Sequence, residues 1–173
     1  MGVTTIRRAA VGDATALARV RVLSWQAAYR GMMPDRYLDA LDIDENAARF
    51  TRFLSEHSAH SHWVGVVDDE VVAWASACVT ARDTELDASV GELAACYVLE
   101  SAWGSGVGFK IWKAVLAELV SQGVSQVIVW VLTQNIRALS FYERQGFVKD
   151  GQRKTTALTP DIQLEQVRLC LDI

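Results

Sequence analysis

The chain has 173 residues, 51% of them hydrophobic, and a formal net charge of −4. That length fits one domain over residues 1–173 with a substantial core, and the lack of a basic face or run argues against nucleic acid as a partner. No apolar run approaches a membrane span and Arg7-Arg8 is not followed by a signal-peptide core, so the expectation is a cytoplasmic protein that does not engage a membrane.

Met1-Gly2 is followed at position 6 by Ile6, where a myristoylation signal requires Ser or Thr. Thr4 to Arg8 reads as a first strand. Asp13 then reads as the cap of a long helix to about Tyr29, which Gly31 and Pro34 end. On that helix Leu17, Val20, Ser24, Ala27 and Ala28 form one buried stripe, and Val22, Trp25 and Tyr29 form a second, more aromatic face. A helix apolar on two faces either sits deep or lines a pocket. Asp42, with Glu45 three residues on, makes a capping-box-like start for a helix through Leu54. His57, His60 and His62 have neither acid nor cysteine at ligand spacing, so they read as a polar loop and no metal is expected. Trp63 to Val67 and Val71 to Thr80 are strands joined by the acidic turn Asp68-Asp69-Glu70.

Glu92 to Leu99 is apolar with β-branched and aromatic members, as in a buried strand. It runs into Trp103-Gly104-Ser105-Gly106-Val107-Gly108, and an amphipathic helix follows in which Gly108, Trp112, Val115, Leu116 and Leu119 recur at helical spacing. Alternate glycines uncover backbone N–H groups, and the helix start adds unpaired donors and the positive end of its dipole, which together make an anion cradle. A dinucleotide fold would need Gly-x-Gly-x-x-Gly and an acid at the end of a second strand. A P-loop would need Gly-Lys followed by Ser or Thr, and neither pattern occurs. A tight turn without a ligand remains the plain alternative.

Val127 to Val131 is a short apolar strand. Asn135 caps a helix that runs to Gln145, with Gly146 as its C′ residue. Phe147 to Thr155 and Ile162 to Leu171 read as two final strands. Cys78, Cys96 and Cys170 lie in strand-like apolar runs and read as reduced and buried. A nucleophilic Cys96 has no histidine near it in sequence.

Two patterns occur together and in order. Trp103-x-x-Gly106-x-Gly108 and Asn135-x-x-Ala138-x-x-x-Tyr142-x-x-x-Gly146-Phe147 resemble the cofactor signature and the later Asn-to-Gly-Phe pattern of the GNAT superfamily of acetyl-CoA-dependent N-acetyltransferases. The resemblance implies an α/β (α+β) GNAT fold, in which a mixed, mostly antiparallel sheet flanked by helices splays open to admit acetyl-CoA. One position departs from the pattern: Trp103 stands where the family usually carries Arg or Gln. Lys110, Arg137 and Arg144 are candidates for the missing positive charge.

The resemblance also implies roles for single residues. Trp103, Gly104, Ser105, Gly106, Val107 and Gly108 would hold the cofactor phosphates, and the strand backbone at Cys96, Tyr97 and Val98 would bond its pantetheine arm. Asn135, Ala138 and Tyr142 complete the cofactor side. Glu92 stands eleven residues before Trp103, the offset of the general-base glutamate in histone-acetyltransferase-like members, and partial burial raising its pKa would suit that role. Tyr142 takes the general-acid position. The segment containing Trp25 and Tyr29 is similar to one found in a bacterial subgroup and borders the acceptor groove, which assigns both residues to substrate binding. The expected activity is acetyl transfer from acetyl-CoA to a primary amine of a small molecule, peptide or protein by direct attack, with room for a homodimer. A non-catalytic acyl-CoA sensor would keep the loop and lose the acid and base; a dinucleotide reductase would need the missing second-strand acid.

Overall fold

A computed structural model describes residues 3–56, 59–83 and 85–173; Met1, Gly2 and His57, on which two of the sequence readings partly rest, lie outside them. In chain order the elements are β1 Thr4–Arg8, α1 Ala14–Ala28, α2 Asp35–Asp39, α3 Ile43–Ser55, β2 His60–Val67, β3 Glu70–Cys78 and β4 Val90–Val98. They continue with α4 Val107–Ser121, β5 Gln126–Leu132, α5 Ile136–Arg144, β6 Val148–Thr159 and β7 Ile162–Asp172. The strands form one sheet in the order β1-β2-β3-β4-β5-β7-β6, and only the β4–β5 pair is parallel.

Side-chain alternation along β2 assigns the helices to opposite faces of the sheet. Trp63 and Gly65 face α4: the Trp63 indole N–H donates to Glu118 at 2.7 Å, and a Cβ built on Gly65 would lie 2.7 Å from Val107 Cγ2. That close approach seats the first turn of α4 on the sheet. His62 and Val64 face the other way, toward Trp74, whose ring meets Phe50 of α3 edge-on at 4.8 Å. The main core fills both sides with Leu17, Val20, Leu93, Ile111, Trp112, Leu119 and Phe147.

Local chemistry explains most element ends. The Asp42 carboxylate accepts the Glu45 N–H at 2.8 Å, and the Asn135 amide oxygen accepts the Ala138 N–H at 3.1 Å, so each caps its helix as the spacing predicted. Gly146 follows α5 at φ +91°, the left-handed conformation of a C′ glycine.

Several expectations are corrected. Asp13 does not cap α1 with its side chain; its carboxylate accepts from the Ala10 N–H at 2.7 Å and from both Arg7 terminal nitrogens at 2.7 and 2.8 Å, tying β1 to the helix start. His60 and His62 are not loop residues. They begin β2, paired with Cys78 and Ser76, because the neighbouring strand supplies backbone partners that their polarity does not disclose. Glu70 belongs to β3, leaving a two-residue turn in which Asp68 and Asp69 adopt φ +48° and +64°, the twist a tight hairpin requires. The short helix α2 follows Pro34, where the sequence reading placed only a helix stop. Of the cysteines only Cys78 is fully buried, while Cys96 and Cys170 are half-buried; all three are free thiols. Ala27 and Ala28 are likewise partly exposed, and Ala28 lines a cleft. Among the described residues no helix is long and apolar enough to cross a membrane, and no group of three or more His, Cys, Asp or Glu could hold a metal ion.

Candidate active site

Strands β4 and β5 pair only through Val90–Gln126, Gly91–Val127 and Glu92–Ile128. Beyond that point β4 continues to Val98 and β5 to Leu132 without bonding each other, so their edges diverge. The gap is a cleft of about 760 Å³ lined on one edge by residues 92–98 and on the other by residues 129–132. Just past β4 the Leu99 N–H bonds back to Val72 on β3, so antiparallel alternation turns the polar backbone groups of Val98 and Cys96 toward the open edge. These groups are the ones an extended amide-bearing ligand can pair with.

One end of the cleft is the glycine loop. Gly104 and Gly106 adopt φ +77° and +84°, which lets the chain turn sharply into α4. The helix ladder opens with the Lys110 N–H donating to the Gly106 carbonyl at 3.0 Å, leaving the N–H groups ahead of it outside the ladder. Trp103, Gly104, Gly106 and Gly108 line the cleft. Ser105 and Val107 do not: the Ser105 hydroxyl donates to Ala102 at 2.7 Å, and Val107 is buried in the core against Gly65. Trp103 does not leave a simple gap where the resembled pattern has Arg or Gln. Its indole N–H donates to the Val98 carbonyl at 2.9 Å, and the Arg137 guanidinium lies 3.7 Å over its ring. Arg137 and Arg144 also line the cleft, which brings positive charge to the loop end; Lys110 is absent from its lining.

Helix α5 forms the next wall with Asn135, Ala138, Phe141 and Tyr142. Tyr142 is 6% exposed, and burial first, then the neighbouring Cys96 and Tyr97, push its hydroxyl well above the usual tyrosine range, so it stays protonated. Burial pushes the Cys96 thiol up to about 12, which suppresses the thiolate a nucleophile needs.

Glu92 sits at the apex of the divergence, 2% exposed. Its carboxylate accepts from the Arg82 backbone N–H at 2.9 Å, from Arg82 Nε at 3.1 Å and from the same guanidinium's Nη2. Burial raises its pKa, yet the Arg82 hydrogen bonds and charge outweigh that, and the net shift is downward. The expected raised pKa is therefore corrected, because burial brought with it a cation that the sequence did not place there. Arg82 lies on the β3–β4 connection, ten residues before Glu92, and only the pairing of Cys78 with Glu92 reveals that this loop folds back over the strand.

The end of the cleft away from the glycine loop is closed by α1 and by the last two strands. Trp25 and Tyr29 both line the cleft, with ring centroids 5.2 Å apart, and Trp25 also meets Tyr97 at 6.2 Å. Burial, then Tyr97, raises the Tyr29 hydroxyl well above its ordinary pKa. Among the described residues the Trp25 indole N–H and the Ser24 hydroxyl are buried without a hydrogen-bond partner. Lys154, Thr156 and Gln166 enter the lining from β6 and β7, with Lys154 Nζ 4.1 Å over Trp130. The sequence reading did not name them, since strand periodicity says which face a residue takes and not which cavity it meets.

The acetyltransferase (GNAT) family model matches residues 22–147. An uncharacterised N-acetyltransferase, YuaI of Bacillus subtilis (strain 168), is 30% identical over 143 residues, covering 80% of this chain and 77% of that protein. Among solved structures, the PaiA N-acetyltransferase of Thermoplasma acidophilum, in complex with coenzyme A, is similar with a TM-score of 0.75 and 16% identity, covering 99% of each chain. A Salmonella typhimurium acetyltransferase, YncA, with its cofactor acetyl-CoA, gives a TM-score of 0.70 at 18% identity, covering 98% of this chain and 93% of that one. With the family model and the Bacillus relative both spanning the divergent strands and the glycine loop, the chain belongs to the acetyltransferase (GNAT) family and is an acyltransferase.

Proposed function

We propose that this chain, acting as one domain, moves an acetyl group from acetyl-CoA to a primary amine by direct attack on the thioester. The observation that carries this reading is the break in β4–β5 pairing after Glu92, which opens one cleft from the glycine loop to Trp25 and Tyr29. Acetyl-CoA fits the loop end: helix-start N–H groups, two cleft-lining arginines and the glycine cradle suit phosphate, and the open edge of β4 suits an amide-bearing arm. The amine enters from the acceptor side. Its nitrogen forms a bond to the acetyl carbon, the carbon–sulfur bond breaks, Tyr142 gives its proton to the departing sulfur, and the second proton released by the nitrogen restores the Tyr142 hydroxyl. The half-buried Cys96 forms no covalent intermediate.

An alkyl amine is protonated near neutral pH, with a pKa of about 10, and must lose its proton before attack. Glu92 takes that proton through water, as a carboxylate that Arg82 keeps ionised. Because its pKa is lowered from 4.5, Glu92 is charged throughout the neutral range. The stability it contributes is present above that value and is lost as pH falls through its folded pKa. Arg82→Gln removes the opposing influence and leaves burial in command, so Glu92 is expected to protonate at higher pH. A kcat/KM profile for the variant should therefore show an acid limb displaced upward relative to the native protein, and Glu92→Gln should depress turnover most on the low-pH side, where free amine is scarcest. Superimposable profiles would take Glu92 out of the proton path.

The reading as a whole is tested by acetyl-CoA binding and turnover. A ligand selective for the folded state raises the thermal midpoint, by about 2.7 kcal/mol of stabilisation at a hundredfold excess over Kd. Acetyl-CoA is expected to do so and NADH not, with thiol release once an amine is added. No shift with acetyl-CoA at millimolar concentration would defeat the proposal.

A further inference from the structure

Beside the cleft, on the face covered by α1 and α3, lies a second hollow of about 320 Å³. The two share Arg82, Ala94 and Ala95, so they adjoin. Its walls include the rings of Phe50, Phe53 and Trp74, and its charged groups are Arg21, Arg49 and Arg82. Arg82 is already paired with Glu92. Arg21 and Arg49 have no such partner: among the described residues no carboxylate forms an ion pair with either.

Arg21 is held in place. It donates to Asn46 Oδ1 at 2.9 Å, and its guanidinium lies 4.2 Å over the Trp25 ring. Burial lowers its pKa, and the nearby Arg49 lowers it further, so the unliganded protein holds two repelling cations together. The histidines add nothing to that charge at neutral pH, since burial brings His62 down to about 4 and His60 also below its ordinary value. A protein with a net charge of −4 thus keeps an uncompensated positive hollow beside its acceptor groove. Trp25, the ring on which Arg21 lies, lines the cleft, so Arg21 stands where hollow and cleft adjoin.

Resting on the acetyltransferase reading above, we propose that the acceptor amine carries an oxyanion, a carboxylate or a phosphate, which docks between Arg21 and Arg49 while the amine reaches Tyr142 and Cys96. Guanidinium groups recognise either oxyanion through charge-assisted hydrogen bonds, and a polycationic amine would be repelled.

The test is thiol release from saturating acetyl-CoA with paired acceptors. The pairs are each proteinogenic amino acid beside its α-carboxamide and O-phosphoethanolamine beside ethanolamine, with spermidine as a cationic arm. At least one oxyanion-bearing amine is expected to exceed its neutral partner by about tenfold or more in kcat/KM, because a site built for a polar group rejects the analogue lacking it. Whether the amino acids or the phosphate show the preference tells which oxyanion is used. Arg49→Gln should lower that ratio toward unity through KM; Arg49 is exposed, so its loss tests the charge apart from the buried contacts of Arg21. Equal rates within every pair, preference for spermidine, or no turnover of any arm by protein that binds acetyl-CoA would overturn the proposal and leave the acetyltransferase reading standing. Failure to bind acetyl-CoA would overturn both.

Discussion

Tyr142→Phe is expected to lower kcat by about a hundredfold or more, the usual contribution of a positioned proton donor, while acetyl-CoA affinity stays nearly unchanged. The ring's place does not depend on the hydroxyl. It packs against Phe141 at 5.2 Å and Phe147 at 5.4 Å, and these apolar contacts survive in the variant. What is lost is a buried proton that the surroundings hold firmly on oxygen, needed only when charge gathers on the leaving sulfur. Single-turnover measurement with an acceptor amine, alongside calorimetric titration of acetyl-CoA, separates the two quantities. A loss smaller than about threefold with chemistry limiting the rate would remove Tyr142 from the mechanism.

Gly108→Val is expected to weaken acetyl-CoA binding by about a hundredfold or more, equivalent to about 2.7 kcal/mol, with the fold retained. A Cβ at this position lies 3.4 Å from Val98 and 3.7 Å from Phe141, ordinary contact distances, so the backbone accepts a side chain. The added methyl groups then occupy the narrow space between α4, β4 and α5 that the cofactor arm needs. Gly106 gives a different result and serves as the contrast. A side chain there meets nothing within 4 Å but must adopt φ +84°, a left-handed strain of about 1–2 kcal/mol. Gly106→Ala should therefore lower the thermal midpoint more than Gly108→Val does, and Gly108→Val should damage binding more. Native acetyl-CoA affinity in Gly108→Val would show that the loop is only a turn.

The glycine loop, the Asn135 and Asp42 caps and the strand cores were legible because each signal is local. A cap needs a side-chain oxygen three residues from an unpaired N–H, and a left-handed turn favours glycine, so chain order alone reports them. The two motifs together also disclosed the family, since both lie inside the stretch that the family model matches. His60 and His62 were misread for the opposite reason: their polarity favours a loop, and pairing with Ser76 and Cys78 overrides it.

The candidate site divides along the same line. By itself the sequence determined which residue types were available at the junction of β4 with the loop and at α5, and hence the class of chemistry. Only the tertiary structure decided the state of those groups. It brought Arg82 onto Glu92 and so turned an expected raised pKa into a lowered one. It also spent the Trp103 indole on Val98, stacked Arg137 on that ring, and gathered Arg21 and Arg49 around an acid-free hollow. Charge and burial act through space, over distances set by which strands pair and which loops fold back, and residues separated in the chain become neighbours without any local pattern to announce it.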